Sequence, residues 1–114
     1  EVEAKGRYLE AKLRSMATRH PCVGDVRGLG LFYTMELVAD HETKTPLRKT
    51  TEKYTRTIIK DASDFLFKEK NVYVPSDKFG IWVVPPLIVT ESEMDWFCEA
   101  IDEALTMVDT ALEE

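Results

Sequence analysis

The chain has 114 residues, 44% of them apolar and 32% charged, with a net charge of −6. That length suffices for one compact domain and falls short of two, so residues 1–114 are read as a single domain. No apolar run approaches the roughly 18 residues that a membrane span needs, and the charged opening EVEAKGRYLEAKLR is amphipathic and unlike a signal sequence.

Charge is unevenly placed. Residues 1–78 hold all 15 basic groups with 12 acidic ones, whereas residues 79–114 hold 9 acidic groups and no basic one. An acidic C-terminal segment repels phosphate backbones, which argues against nucleic acid as a partner. Its plainest reading is a solvated helix face. Cys22 and Cys98 lie far apart and show no CxxC or Cys–His spacing, so free thiols in a cytoplasmic setting are expected, with no metal site.

The first predicted helix runs from about Glu3 to Arg19, where Leu9, Leu13 and Met16 recur on one face. His20-Pro21 stops it, because the residue before proline disfavours the helical region. Gly24, Gly28 and Gly30 mark a tight, irregular approach to a strand over Leu31–Val38. In that strand Leu31, Tyr33, Met35 and Leu37 form the set expected to face helices. Asp40 to Pro46 is polar and reads as a surface loop.

A second helix is expected from about Thr51 to Lys70, with Tyr54, Ile58, Ala62, Phe65 and Leu66 as its apolar stripe and Asn71 as a left-handed terminator. Val72–Val74 and Ile81–Val84 then read as two strands of a hairpin around the turn Pro75–Gly80. Pro85-Pro86 ends pairing, since neither residue can donate a backbone N–H. The third helix opens on a T-x-x-E capping box, Thr90 and Glu93, with Val89 stapled onto Met94. Met94, Phe97, Cys98, Ile101, Leu105 and Val108 line its buried face. The order α-β-α-β-β-α predicts an α+β domain: a small, mostly antiparallel sheet with helices on one face.

No self-contained active site is legible. Gly24-x-x-x-Gly28-x-Gly30 follows a helix and precedes a strand, the reverse of a phosphate loop. Those glycines instead suit positive φ or close backbone packing. His20 and His41 fit structural or surface roles. Arg27, just before the strand, fits a clamp between the first helix and the sheet or another domain, ahead of substrate contact. Lys78 in the turn reads as solvated, and Trp82 and Trp96 as core or interface aromatics.

Two stretches carry a resemblance, HPCVGDVRGLGLFYTMELV over 20–38 and VVPPLIVTESEMD over 83–95. Together they resemble the C-terminal small domain of class III aminotransferases, enzymes that use pyridoxal 5′-phosphate, nearest the ω-amino acid and amine–pyruvate branch. The resemblance implies a piece of a fold-type I enzyme whose large, coenzyme-binding domain precedes this region. It implies a parent that is a homodimer, moving an amino group from an amine to a keto acid such as pyruvate. The coenzyme lysine belongs to the large domain, so no catalytic, coenzyme-binding or metal residue is expected in residues 1–114, and the piece alone is expected to be inactive. Its implied part is to cover the active-site entrance, with Pro75, Ser76 and Lys78 nearest the substrate and Arg27, Gly28, Gly30, Pro85 and Pro86 structural. Many relatives in this branch place a carboxylate-reading arginine near positions 74–76. Here those positions are Val74, Pro75 and Ser76, so Lys78 or an arginine elsewhere in the parent takes that part, or the acceptor is read differently. The alternative is a free-standing, non-catalytic α+β interaction module.

Overall fold

The computed structural model describes residues 2–47, 52–86 and 89–113, with side chains described for all of these except 2, 46 and 52–57. The elements are α1 (Val2–Arg19), β1 (Val23–Leu29), β2 (Phe32–Asp40), β3 (Thr45–Pro46), α2 (Glu52–Lys70), β4 (Gly80–Val83) and α3 (Glu91–Glu113). The α+β class holds, with helices on one face of an antiparallel sheet, but the order is α-β-β-β-α-β-α.

Central strand β2 pairs with β1 along one edge and with β4 opposite Tyr33–Glu36, all antiparallel, while short β3 pairs with its far end. Register places Val26, Met35 and Ile81 in one inward row and Gly28, Tyr33 and Val83 in the next. These rows meet Leu9, Leu13 and Met16 of α1, Ile58, Ala62 and Leu66 of α2, and Met94, Ile101 and Leu105 of α3 in a single core. The predicted inward set Leu31, Tyr33, Met35 and Leu37 is buried throughout.

Two strand expectations need correction. The glycine-rich approach to the first strand is itself a strand, β1, and forms a hairpin with β2. Gly30 opens the two-residue connection with φ 62°, the backbone state that twists a hairpin correctly and that glycine adopts at least cost. Gly28 lies opposite Tyr33, where a Cβ would run into the Phe32 carbonyl oxygen and the Tyr33 ring. Glycine there serves close strand approach, so its low strand propensity misleads.

The second correction concerns Val72–Val74, which is extended but is not a strand. Val72 and Val74 are buried and Tyr73 is exposed, so the period of two is real. Its hydrogen bonds go elsewhere: Ser63 of α2 donates to the Val74 carbonyl at 2.6 Å. Ile81–Val83 pairs instead with the open edge of β2, and only the bridge Ser76–Ile81 remains of the expected hairpin. The loop from Asp40 is also more ordered than expected, since β2 runs on to Asp40 and β3 returns to it.

Helix boundaries follow local chemistry. His20 lies just past α1, its N–H bonded to the Met16 carbonyl at 3.1 Å. Asn71 takes φ 57° after α2, and the Val72 N–H closes onto the Leu66 carbonyl at 2.9 Å. The start expected at Thr51 and the side chain of Tyr54 lie outside the described residues. At α3 the capping box is reciprocal: Thr90 N–H donates to Glu93 Oε1 at 2.9 Å, and Glu93 N–H to Thr90 Oγ1 at 3.2 Å. Val89 and Met94 are both buried in the shared core.

The acidic face of α3 is only partly a solvated one. Asp95, Asp102 and Asp109 are spaced by seven, close to two helical turns, and form a line facing α1. Asp95 accepts from the Tyr8 hydroxyl at 2.6 Å and the Lys12 ammonium at 2.9 Å. Asp102 takes Arg19 at 2.8 Å, and Asp109 takes the Cys22 N–H at 3.0 Å. His20, only 6% exposed, bridges the last two, with Nδ1 2.6 Å from Asp109 and Nε2 2.7 Å from Asp102. No helix among the described residues is long and apolar enough to cross a membrane.

Candidate functional site

The loop joining α2 to β4 is built around Asp77. Its N–H donates to the Gly80 carbonyl at 3.0 Å, and its Oδ1 accepts from Phe79 N–H at 2.8 Å and Gly80 N–H at 3.1 Å. Oδ2 accepts the Trp82 indole N–H at 3.0 Å. One aspartate therefore closes the turn and holds the indole of the following strand. The Trp82 backbone N–H also bonds to the Pro75 carbonyl at 2.9 Å. The sequence pointed to Pro75, Ser76 and Lys78 at the entrance and included Asp77 in the same turn tip without a role of its own. A proline-to-aspartate turn pattern is the signal that points to it.

Pro75 and Ser76 are half-buried at the base of this turn, and Lys78 is exposed, its ammonium 5.7 Å from the centre of the Phe79 ring. Trp82 is not a core residue. Register sets it opposite Thr34, which is itself opposite Arg27, in one row on the outer face of the sheet. Phe32 lies on the same face, its ring centroid 6.1 Å from that of Trp82. Leu29 is 86% exposed, Phe32 52%, Val84 48% and Trp82 38%. The outer face is thus apolar toward the β1–β2 turn. Trp96 on α3 is exposed as well, so neither tryptophan belongs to the core.

Arg27 pairs with Asp25 on its own strand at 2.8 Å and is exposed, so it does not clamp α1 to the sheet. Gly28 and Gly30 shape the hairpin described above, and Pro85-Pro86 follows the last paired residue of β4. The loop residues and the Trp82–Phe32 pair come together, and Arg27 shares their face. His41 bonds the Val23 carbonyl at 3.1 Å from an exposed turn.

A separate groove of about 350 Å³ runs between α1 and α3, lined by Tyr8, Lys12, Ser15, Arg19, Asp95 and Cys98 among others. Its charges are largely matched to one another. Hydrogen bonds from Tyr8 and Lys12 hold the Asp95 carboxyl below its ordinary range, and the same contact with Asp95 raises Lys12. Burial pushes the Cys98 thiol up to about 11 and raises Cys22 still further, so neither is a ready nucleophile.

A pyridoxal coenzyme needs a lysine for its covalent anchor and an electropositive cradle for its phosphate. No described lysine is buried. Lys12, Lys60 and Lys70 pair with Asp95, Asp64 and Glu103. The described residues therefore do not fit that coenzyme, and none of their His, Cys, Asp and Glu groups assembles a metal site.

A family model described as aminotransferase class-III matches residues 1–105. The chain belongs to that family. It is 41% identical over 102 residues to a taurine–pyruvate aminotransferase of Rhodobacter capsulatus, a match covering 88% of this chain and 22% of that protein. It is 29% identical over 108 residues to an (R)-1-hydroxy-2-aminoethylphosphonate ammonia-lyase of Vibrio splendidus, covering 95% of this chain and 21% of the relative. Among solved structures, a taurine:2-oxoglutarate aminotransferase from Bifidobacterium kashiwanohense, in complex with PLP and glutamate, superposes with a TM-score of 0.85 at 26% identity. That superposition covers 97% of this class III aminotransferase chain and 24% of the other. The chain thus spans between a fifth and a quarter of the length of these proteins. It is a small domain homologous to those of class III aminotransferases.

Proposed function

We propose that this chain is the small domain of a pyridoxal phosphate-dependent aminotransferase that moves an amino group from an ω-amino acid or amine, taurine among them, to a keto acid such as pyruvate. The observation that carries the proposal is the family match over residues 1–105, in a chain where no lysine with a described side chain is buried. The coenzyme, when bound, acts as an electron sink on a lysine of the large domain. Residues 1–114 act by shape and by exclusion of water, with the turn Pro75–Lys78 at the active-site entrance. The outer sheet face bearing Leu29, Phe32 and Val84 is the natural seat for the rest of the polypeptide, because that much apolar surface favours cover. The parent is a homodimer in the cytoplasm. Alone, this domain is inactive.

Of the positions that read substrate carboxylate in many relatives, Val74 is buried and Pro75 and Ser76 carry no charge. Lys78 is exposed beside them and is the one cation between Val74 and Gly80. It takes the part of the anion-reading group, by a point charge in place of a guanidinium fork.

The Vibrio relative favours a second reading, in which the parent eliminates ammonia from an amino alcohol derivative. The test is turnover by the full-length enzyme with taurine and other amines, with and without pyruvate. Ketone or aldehyde formation that requires the keto acid is the expected result. Ammonia release that ignores the keto acid would establish the lyase reading instead. With Lys78→Ala, the KM for the keto acid is expected to rise. An unchanged KM would remove Lys78 from anion reading.

A further inference from the structure

Trp82 is oddly placed for a residue of a four-residue strand. Its neighbours Ile81 and Val83 are buried against the helices, so the core is complete without it. Its indole lies on the outer sheet face, yet both its ring N–H and its backbone N–H are tied to the turn before it, through Asp77 Oδ2 and the Pro75 carbonyl. A large, rigid side chain fixed in place while still exposed has been given an orientation that the domain's own packing does not require.

We propose that Trp82 is a wall of the substrate entrance that contacts the hydrocarbon portion of the amine donor, and that Asp77 is its positioning residue. The inference rests on the assignment of Pro75–Lys78 to the entrance and adds to it which side chain reads the donor. Three observations carry it. Indole and turn are tied to one group, because the carboxylate that closes the turn also holds the ring. The ring is flanked by Phe32 at 6.1 Å, so it stands where the turn meets the apolar part of the outer face. Asp77 is engaged through both oxygens with donors of its own loop, and the exposed Lys78 beside it has its ammonium over the Phe79 ring, open to an anionic end. An indole held beside a turn that carries the exposed Lys78, with Arg27 of the same sheet face already paired to Asp25, suits an amine whose carbon chain ends in an acidic group.

Two substitutions separate this role from a merely structural one. Asp77→Asn keeps an oxygen to accept from the Phe79 and Gly80 amides, but its NH₂ cannot accept the indole N–H, so the turn is retained and the ring released. Trp82→Phe keeps an aromatic ring and lacks the N–H. In the full-length enzyme each change is expected to raise the donor KM about three- to tenfold, the scale of one lost orienting hydrogen bond, with kcat within about twofold. The double variant is expected to match Trp82→Phe alone, because Asp77 acts through the indole. The Trp82 ring N–H, identified by its loss in Trp82→Phe, is expected to exchange faster with solvent once Asn replaces Asp77.

Faster exchange with no change in donor KM would overturn the entrance role and leave only a structural contact. An Asp77→Asn cost that persists in the Trp82→Phe background would overturn the positioning role. A wild-type enzyme without keto-acid-dependent turnover would sink the proposed activity and this inference with it, a result distinct from either of those.

Discussion

His20 joins three segments through one ring. It follows α1, precedes β1, and meets two carboxylates of α3 that lie 82 and 89 residues further along the chain. Removing the imidazole leaves Asp109, mostly buried and still bonded to the Cys22 N–H, without its side-chain partner. His20→Ala is expected to cost about 2–3 kcal/mol in urea denaturation, the scale of stranding a partly buried charge. Asp102 supplies a second test. Burial alone would raise its carboxyl, but hydrogen bonds from His20 and Arg19 outweigh that and hold it below the ordinary value of 3.8. A group depressed in the folded state stabilises above its unfolded value and loses that contribution as the pH falls through its folded one. Stability at neutral pH is therefore expected to hold down to roughly pH 4 and then decline. Asp102→Asn should flatten that acid limb in pH-dependent unfolding. None of these pairings was legible residue by residue, since a carboxylate on a helix face looks the same whether water or an imidazole answers it.

At the scale of elements, capping and periodicity were legible because both act within a few residues. The box at Thr90 and Glu93, the left-handed Asn71 and the stop at His20-Pro21 stand as expected. Thr90→Ala removes the acceptor for the Glu93 N–H and is expected to cost about 1 kcal/mol. A lower urea midpoint with the slope unchanged would register that loss. Strands were legible less well, for two opposite reasons. Gly24, Gly28 and Gly30 hid β1, because the close approach that glycine permits also erases the side-chain pattern. Val72–Val74 showed a strand pattern with no strand, because burial alternates along any extended segment, paired or not. The turn Pro75–Gly80 was located, but the part Asp77 plays in it was not, because that part depends on the indole five residues on coming back to meet the carboxylate.

Across the whole molecule, the uneven charge of the sequence becomes a contact. The acidic α3 lies beside α1, and its line of three aspartates takes up Tyr8, Lys12, Arg19 and His20. The outer sheet face is apolar, with Leu29, Phe32 and Val84 exposed around Trp82. Such a patch favours self-association of the domain by itself. Sedimentation velocity over a concentration series is expected to show reversible association, reduced by Leu29→Lys, since Leu29 is exposed and outside the core. A strict monomer at high concentration would count against that face as an adhesive surface.

By itself the sequence determined the helix faces, the caps, the proline stops and the family, because each is written in residues close to one another or in the order of short motifs. Only the tertiary structure decided which strand takes the open edge of β2, which acids of α3 are partnered, and that Trp82 faces outward on a tether. Those outcomes depend on segments that meet across as many as 89 residues of chain. A local pattern records what a side chain prefers, and the fold decides which neighbour is there to satisfy it.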